Sequence, residues 1–230
     1  MQYPNTVIAE FRERPNRFIA RVQQEDVIHT VHVKNTGRCR ELLIPGRTVV
    51  LTRGTGEKRK TEYDLIAVDK PGLGWVNIDS QVPNTVAREW LETLSPDLLR
   101  PEYTFGDSRL DFYLEKNGEK FLVEVKGCTL EINGQGYFPD APTTRGTKHL
   151  RELTRAAGQG YTCAVLFVIQ MNGITEVHPN AVTDPTFAAA FAEAEAAGVR
   201  MVFLPCTVTE DTLTAADNGS ATRALLGAQR

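Results

Sequence analysis

The stretch from Ser108 to Leu130, SRLDFYLEKNGEKFLVEVKGCTL, is the part of the chain that most narrows the choice of fold. Apolar and polar residues alternate along FLVEVK, which is the period-two pattern of a β-strand. Asn117-Gly118 lies between two such runs, and Asn-Gly is the dipeptide that best supplies the positive φ angles of a tight hairpin turn. The segment is therefore predicted to be a β-hairpin that brings Asp111 on its first strand beside Glu124 on its second.

Two carboxylates and a lysine come together on this predicted hairpin. Glu124 and Lys126 are two residues apart, so they project to the same side of the strand, away from the valines beside them. Mg²⁺ prefers oxygen ligands in octahedral geometry and usually takes only one or two protein carboxylates, with water and phosphate oxygens as the other ligands. We expect Asp111 and Glu124 to bind Mg²⁺ or Mn²⁺. Lys126 is then placed to orient an attacking water and to offset charge that develops in the transition state.

The same residues have a plainer interpretation. A Glu-x-Lys triplet occurs about once by chance in a chain of this length. A strand near the edge of a sheet can also carry Glu and Lys as a solvated face with a cross-strand ion pair. The hairpin alone leaves both interpretations open, and the segment that follows it favours the metal site.

Three basic residues crowd the first turn of a predicted helix downstream of the hairpin, and they are Arg145, Lys148 and His149. The segment Tyr137–Leu153, YFPDAPTTRGTKHLREL, leads from turn residues into this helix, with Thr144 or Thr147 as its N-cap. Cations in the first turn oppose the helix dipole, whereas the backbone N–H groups there favour an anion. The pattern therefore indicates a site that holds a phosphate. The alternative is a surface helix whose cations pair with Glu152 or with other acids.

These segments resemble those of a known family, the sugar fermentation stimulation protein A family of bacteria and archaea. The resemblance covers most of residues 8–210 and rests on SRLDF, VEVKGCTL, FPDAPTTRGTKHLREL, the Asp184–Val199 segment, and His32–Gly37 followed by Pro45-Gly46. The chain departs from the family pattern at Lys34, Cys39, Gly127 and Pro142 and keeps the metal-site residues. The resemblance implies an N-terminal barrel of the oligonucleotide/oligosaccharide-binding (OB) kind. It also implies a nuclease-like core.

The N-terminal residues independently favour a barrel, which we predict for residues 1–80. They divide into five short runs typical of strands, namely RFIARVQ, VIHTVHV, RTVVLTR, EYDLIAVD and GWVNI. About five strands in some 80 residues fit a small closed OB-like barrel. This part is also the basic one, with 13 Lys and Arg against 10 Asp and Glu, compared with 13 against 19 in residues 81–230.

Basic and aromatic residues of the barrel are candidates for a nucleic-acid-binding face. The cations that we expect to follow a phosphate backbone are Arg38, Arg40, Lys58, Arg59 and Lys60, together with Arg12, Arg14, Arg17 and Arg53. The aromatic candidates for base stacking are Phe18, Tyr63 and Trp75. The alternative is that the aromatic residues belong to the barrel core and that the lysines are simply solvated.

Residues 81–230 are predicted to form an α/β core of the restriction-endonuclease-like kind, with the metal-site layout written PD-(D/E)XK. The predicted order is a helix from Asn84 to Leu94, strands near Tyr103, at 108–115 and at 120–130, a helix at 146–158, a strand at 161–170, a helix at 185–197 and a strand at 199–205. Asn84 is the expected N-cap of the first helix. Glu89 on that helix and Asp140 ahead of the second helix are candidates for further metal ligands. The tail from Thr212 to Arg230 has weak periodicity and is predicted to be frayed.

Composition excludes several other classes of protein. The four cysteines, at positions 39, 128, 163 and 206, have neither the spacing of a zinc site nor the density of a disulfide scaffold, which favours a reducing cytoplasm. The start of the chain has no apolar signal segment, and the longest apolar run, Cys163–Ile169, is too short to cross a bilayer. A net charge of −3 argues against a uniformly basic nucleic-acid binder.

Two functions of different class remain. The first is a metal-dependent phosphodiesterase, a nuclease, with DNA as the expected partner. The second is a non-catalytic DNA-binding regulator of sugar (maltose-type) metabolism genes, the activity that the family's name implies, with an inherited nuclease-like core. A complete Asp…Glu-x-Lys set favours the first, because a pure binder has no need for clustered acids that repel phosphate. A carbohydrate or small-molecule binder has no support beyond the versatility of the barrel.

Overall fold

The computed structural model describes residues 1–35, 37–54 and 59–227. Its N-terminal strands are β1 (Thr6–Asn16), β2 (Ile19–Gln24), β3 (Val27–Val33), β4 (Thr48–Arg53), β5 (Tyr63–Lys70) and β6 (Gly74–Asn77). The next elements are α1 (Val82–Thr93), β7 (Leu98–Phe105), β8 (Ser108–Lys116), β9 (Glu119–Cys128), β10 (Leu130–Ile132), β11 (Gln135–Phe138) and α2 (Thr144–Ala157). The last are β12 (Thr162–Ile169), β13 (Val177–Pro179), α3 (Pro185–Ala196), β14 (Arg200–Val208), β15 (Leu213–Ala215) and α4 (Ser220–Leu226).

Strands β1 to β5 form the predicted closed barrel. They are ordered β3-β2-β1-β4-β5, and β3 returns to pair with β5 in parallel. Two details of the prediction are wrong. The prediction omits strand β1, although its buried Ala9 and Phe11 alternate with Glu10 and Arg12 in the period-two pattern of a strand. The run GWVNI, which contains β6, pairs with β5 outside the closed ring.

A six-stranded mixed sheet organises the core, in the order β15-β14-β12-β9-β8-β7. Helix α1 packs on one face, where Val86 and Leu91 share a buried cluster with Val123 of β9. Helices α2 and α3 cover the other face, where Leu153 and Phe187 belong to a second buried cluster. Strand β12 is apolar along nearly its whole length because both of its faces are covered. The predicted α/β class of this core is confirmed.

A buried polar network joins the barrel to the core. Gln170, just after β12, donates from Nε2 to the backbone carbonyls of Asn77 and Asp79, each at 3.1 Å. The carboxylate of Asp79 accepts hydrogen bonds from the Tyr3 hydroxyl at 3.3 Å and from Lys34 Nζ at 3.1 Å. Buried polar groups with satisfied hydrogen bonds are costly to separate. The segment that leads into α1 is therefore fixed relative to both the barrel and the end of β12.

Close packing near this network requires a glycine at position 127 of β9. A Cβ atom there would lie 2.7 Å from Cγ of Pro83 and would clash with Oε1 of Gln170. Pro83 occupies the first turn of α1, a position that suits proline because its missing N–H would have no partner in the helix. Gln81 is the N-cap of α1, so the prediction that Asn84 caps this helix is wrong.

The predicted fraying of the tail is wrong for its described part, which ends at residue 227. Strand β15 pairs with β14, and Ala221 and Leu225 of α4 are buried. The carbonyl of Leu225 accepts a hydrogen bond from Arg200. Two apolar residues spaced four apart on a helix of seven residues give too weak a period to be recognised in the sequence. None of the described helices combines the length and the apolar character needed to span a bilayer.

The packing of the tail leads to a stability prediction. Leu225 is fully buried, at 0% exposure, whereas Val182 is 97% exposed. Leu225→Ala is expected to lower the free energy of unfolding by about 2–5 kcal/mol, because it leaves a cavity. Val182→Ala is expected to change it by less than about 0.5 kcal/mol. Urea denaturation of both variants measures the difference, and equal effects would contradict a packed tail.

Candidate metal centre

A pocket of about 330 Å³ lies where α1 and α2 begin, beside the β8–β9 hairpin. The three predicted catalytic residues, Asp111, Glu124 and Lys126, all line it, and so do Asn84 of α1 and Arg145 of α2. Residues that are up to 61 positions apart in sequence therefore meet at one candidate site. We call it the metal centre, after the cation that its carboxylates are predicted to bind.

The strand register brings the two carboxylates together as predicted. Phe112 of β8 pairs with Val123 of β9, so that Asp111 and Glu124 are the next residues along the same ladder. Strand β9 lies between β8 and β12, in the interior of the sheet, and Glu124 is only 3% exposed. These facts exclude the interpretation of Glu124 and Lys126 as the solvated face of an edge strand.

Glu124 is a buried carboxylate whose two oxygens have different surroundings. Oε1 accepts hydrogen bonds from Nζ of Lys126 and from Nδ1 of His149. Oε2 is also buried, yet it has no hydrogen-bond partner among the described residues. Burial by itself raises the pKa of Glu124, but the hydrogen bond from His149 and the charge of Lys126 outweigh it, so that the pKa is lowered overall. Glu124 is therefore held ionised with one oxygen unused.

The pKa of Asp111 is shifted in the opposite direction from that of Glu124. Burial and the nearby charge of Glu124 raise its pKa, although the backbone N–H of Val125 and the amide of Asn84 both donate to it. Val125 N lies 2.8 Å from Oδ2, and Asn84 Nδ2 lies 2.8 Å from Oδ1. A carboxylate offers about four acceptor positions. Each oxygen of Asp111 therefore keeps room for a second partner.

These residues fit a hard divalent cation. The unpartnered Oε2 of Glu124 and the remaining lone pairs of Asp111 are oxygen donors of the kind that Mg²⁺ and Ca²⁺ prefer. Among residues 1–35, 37–54 and 59–227, no group of three or more His, Cys, Asp and Glu side chains is arranged to hold a metal ion. Mg²⁺ does not need such a group, because water and phosphate usually complete its coordination.

The start of α2 differs in part from the prediction. Its N-cap is Thr143, whose hydroxyl accepts from the N–H of Gly146 at 3.0 Å, and not Thr144 or Thr147. The backbone N–H of Thr143 in turn donates to Asp184, which caps α3. Thr143 is therefore fixed from both sides, and the first turn of α2 is held at the edge of the metal centre.

The three basic residues of α2 have three different environments. Arg145 is exposed and lines the pocket, as a phosphate-binding residue must. Lys148 is exposed and donates to the carbonyl of Asp107 at 3.0 Å, away from the pocket lining. His149 is buried against Glu124, so its predicted contact with phosphate is corrected here to a contact with the carboxylate. The signal was present in the sequence, because position 149 falls on the apolar face of α2.

The structure does not bring the two tentative metal ligands into the metal centre. Glu89 bonds to the amino group of Met1 at 2.9 Å. Asp140 accepts from the backbone N–H of Arg38 at 3.1 Å, at the junction with the barrel. The helix before the hairpin instead contributes Asn84, which sequence reasoning had assigned to a cap. Asn84 and Glu89 are five positions apart, which turns their side chains to different sides of α1.

The basic residues predicted to bind nucleic acid on the barrel also lie in different environments. Arg38 and Arg40 line one cleft, Arg59 bonds to the buried carboxylate of Asp64, and Lys60 is exposed. Lys58 lies outside the described residues. Of the three aromatic candidates for stacking, Tyr63 is buried, Trp75 packs against the core, and Phe18 is 45% exposed.

Comparisons with known proteins match the same family over nearly the whole chain. Residues 81–212 match the domain described as "Sugar fermentation stimulation protein RE domain", and residues 13–78 match "SfsA N-terminal OB domain". A "Sugar fermentation stimulation protein homolog" of Desulfitobacterium hafniense is 51% identical over 220 residues, which are 94% of this chain and 96% of that protein. A protein of the same description from Clostridium beijerinckii is 46% identical over 221 residues, which are 94% of this chain and 97% of that protein.

A solved structure is similar as well. "The structure of Pyrococcus Furiosus SfsA in complex with Ca2+" has a TM-score of 0.81 and 27% sequence identity, and the match covers 94% of this chain and 95% of that one.

The opposite pKa shifts of the two carboxylates lead to a stability prediction for the metal-free protein at pH 7. The pKa of Asp111 is raised, so its ionised form is destabilising above that pKa, and Asp111→Asn is expected to raise the free energy of unfolding. The pKa of Glu124 is lowered, so its charge contributes stability above the unfolded pKa that is lost as pH falls through the folded one. Glu124→Gln leaves the partly buried ammonium of Lys126 without its carboxylate partner and is expected to cost about 3–5 kcal/mol.

Urea denaturation in the presence of a chelator measures both effects. The amide of Asn84 can rotate to present its oxygen to the new amide at position 111, so that Asp111→Asn keeps its hydrogen bonds. Effects of the same sign for the two variants would contradict this electrostatic assignment.

Proposed function

The chain belongs to the sugar fermentation stimulation protein family, and from that premise we propose that it is a divalent-metal-dependent phosphodiesterase that cleaves nucleic acid, with DNA as the expected substrate. The observation that carries the proposal is the buried Oε2 of Glu124, which has no hydrogen-bond partner among the described residues. An orphaned buried carboxylate oxygen costs free energy unless a cation or a donor takes it. Beside Asp111, a metal ion is the partner that suits it.

Asp111 and Glu124 would hold Mg²⁺ or Mn²⁺ in this site. One or two carboxylates are the usual protein contribution for Mg²⁺. The similar chain from Pyrococcus furiosus is described in complex with Ca²⁺, a cation with the same preference for oxygen ligands. A bound divalent cation supplies a Lewis acid that polarises a phosphoryl oxygen and lowers the pKa of bound water.

Lys126 and Arg145 supply the positive charge that phosphate chemistry requires. The ammonium group of Lys126 is kept beside the carboxylates by its bond to Oε1 of Glu124. From there it orients the attacking water and offsets negative charge that develops on the phosphoryl oxygens. The guanidinium of Arg145, which lines the pocket, binds a phosphate oxygen at the start of α2, where backbone N–H groups also favour an anion.

Nucleic acid as the partner is supported by the barrel. Folds of the OB kind bind oligonucleotides and oligosaccharides. The basic character of the first 80 residues, 13 Lys and Arg against 10 Asp and Glu, favours the phosphate-bearing ligand. We propose a reducing cytoplasm as the location, because the four cysteines are buried free thiols.

A cleavage assay tests the proposal. Purified protein is incubated with single- and double-stranded DNA and RNA, with Mg²⁺, with Mn²⁺ and with a chelator, and the products are separated by electrophoresis. Glu124→Ala and Lys126→Ala are each expected to reduce the rate by about 100-fold or more, because each removes a charge that acts on the transition state. Glu119→Ala and Lys120→Ala, at the exposed start of the same strand, are matched controls and are expected to cleave at the normal rate.

The same samples distinguish the second candidate function. Binding is followed by mobility shift alongside cleavage. Mobility shifts without cleavage, unchanged by Glu124→Ala and Lys126→Ala, would overturn the phosphodiesterase and leave a DNA-binding regulator of sugar metabolism genes.

His149 gives a separate prediction, because its contact is with Glu124 rather than with the phosphate-bearing face. His149→Leu removes the donor that orients Glu124 and is expected to lower metal affinity and kcat by about 10- to 100-fold, with little change in KM. His149→Asn keeps an N–H donor near the position of Nδ1 and is expected to recover most of both. Metal affinity is measured from the rise in unfolding midpoint on titration with Mn²⁺. A raised KM with unchanged metal affinity would instead indicate that His149 binds phosphate.

A further inference from the structure

The barrel carries a second candidate site, a cleft of about 460 Å³ beside the loop that follows β3. We call it the arginine cleft. Its lining includes Arg14, Arg17, Arg38 and Arg40, and no carboxylate is present among its described lining residues. Four positively charged arginine side chains around a concave surface produce a positive electrostatic potential in the cleft. Such a cleft favours an anion with more than one charge.

Arg14 gives the arginine cleft a fixed shape. Its Nη1 donates to the carbonyls of Gly37 and Arg38, at 2.9 and 2.7 Å, and its Nη2 donates to the carbonyls of Arg17 and Asn35, each at 2.7 Å. These four carbonyls come from two separate loops, which Arg14 therefore ties together. Carbonyl dipoles satisfy the hydrogen bonds of the guanidinium but leave its net charge in place, and its buried Nε has no partner among the described residues.

An aromatic side chain borders the arginine cleft. Phe18 is 45% exposed, and the guanidinium of Arg17 lies 4.7 Å from the centre of its ring. The turn that presents Phe18 is braced by Asn16, whose Oδ1 accepts from the backbone N–H groups of Phe18 and Ile19 at 2.9 and 3.1 Å. A half-exposed phenyl ring beside arginines is the arrangement on which an unpaired base stacks.

Direct contacts connect the arginine cleft to the metal centre along two routes. On one route, the carbonyl of Lys34 accepts from Ser80, which lines the metal centre, while the neighbouring Asn35 is held by Arg14. On the other, the backbone N–H of Arg38 donates to Asp140, three residues before Thr143 of the metal centre. Three residues span at most about 11 Å. The linings of the two sites therefore lie within a few residues of each other along both routes.

We propose that the arginine cleft binds the phosphate backbone of a single-stranded segment of nucleic acid whose continuation enters the metal centre, and that Phe18 stacks on one of its bases. The proposal rests on the proposed function for the identity of the ligand as nucleic acid. Single-stranded character follows from Phe18, because a base must be unpaired before an aromatic side chain can stack on its face. The arginines contact the backbone and carry no sequence preference.

Binding in the presence of a chelator tests the proposal. Fluorescence anisotropy follows a labelled DNA strand of about 20 nucleotides, longer than the 4 to 16 that one OB fold covers, and the same strand as a duplex. The test variants are Phe18→Ala and the triple variant Arg17→Ala, Arg38→Ala, Arg40→Ala. Arg14 is left intact because it holds the loops. Arg21→Ala is the matched control, since it removes one cation from the same hairpin, where Glu13 already pairs with it.

The expected results are specific to single strands. Phe18→Ala should weaken binding by roughly 5- to 140-fold, the range that corresponds to loss of one stacked base. The triple variant should reduce the slope of log affinity against log salt by about 2, because each phosphate contact contributes about 0.7. Arg21→Ala should bind within about twofold of the unchanged chain. Duplex binding should be weaker and should not respond to Phe18→Ala, while circular dichroism verifies that each variant is folded.

Two results would overturn the proposal. One is that Phe18→Ala and the triple variant bind the single strand as Arg21→Ala does. The other is that the duplex binds as tightly as the single strand and loses affinity equally in the variants. Because the chelator removes any role of metal or cleavage, these results are independent of the cleavage assay. A failed nuclease with an intact cleft, and an active nuclease without one, give different combinations of outcomes.

Discussion

The burial of one ionised carboxylate, Glu124, is the constraint on which the rest of the site depends. A charged group in the interior of a sheet is stable only if it is paired and hydrogen-bonded. Lys126 comes from the same strand, whereas His149 comes from α2, so the helix must dock at one height against the sheet for the contact to form. Thr143 caps the start of α2, and its backbone N–H donates to Asp184 of α3. These two hydrogen bonds fix the start of α2 at that height.

The barrel helps to position the residues of the metal centre through the segment that enters α1. The segment that enters α1 is bonded to Gln170 of the core and to Lys34 of the barrel, and the same helix presents Asn84 to Asp111. Apolar residues of the barrel and of the core, such as Leu65 and Met171, also share one buried cluster. The barrel and the core are thus held together by shared buried residues, and the metal centre and the arginine cleft lie on these two joined parts.

What the sequence could predict was local, and what it missed depends on distant contacts. The hairpin and the proximity of Asp111 to Glu124 follow from a two-residue period and an Asn-Gly turn, so a short window of sequence determined them. The partners of Asn84 and Glu89 depend on how α1 rotates against the sheet, which no local pattern encodes. The role of His149 was readable from its place on the apolar face of α2. Its basic side chain, close to Arg145 and Lys148 in sequence, instead indicates phosphate binding when the sequence is considered alone.

The two carboxylates of the metal centre have opposite pKa shifts, because different neighbours surround them. Lys126 and His149 both donate to Oε1 of Glu124, which leaves Oε2 buried and without a partner among the described residues. Asp111 has a raised pKa because Glu124 is already charged beside it. A cation held by Asp111 and Glu124 would offset the repulsion between them and would give the unpartnered oxygen of Glu124 a ligand. The asymmetry of the bonds to Glu124, with one oxygen paired and the other not, is therefore the feature that supports the proposed metal site.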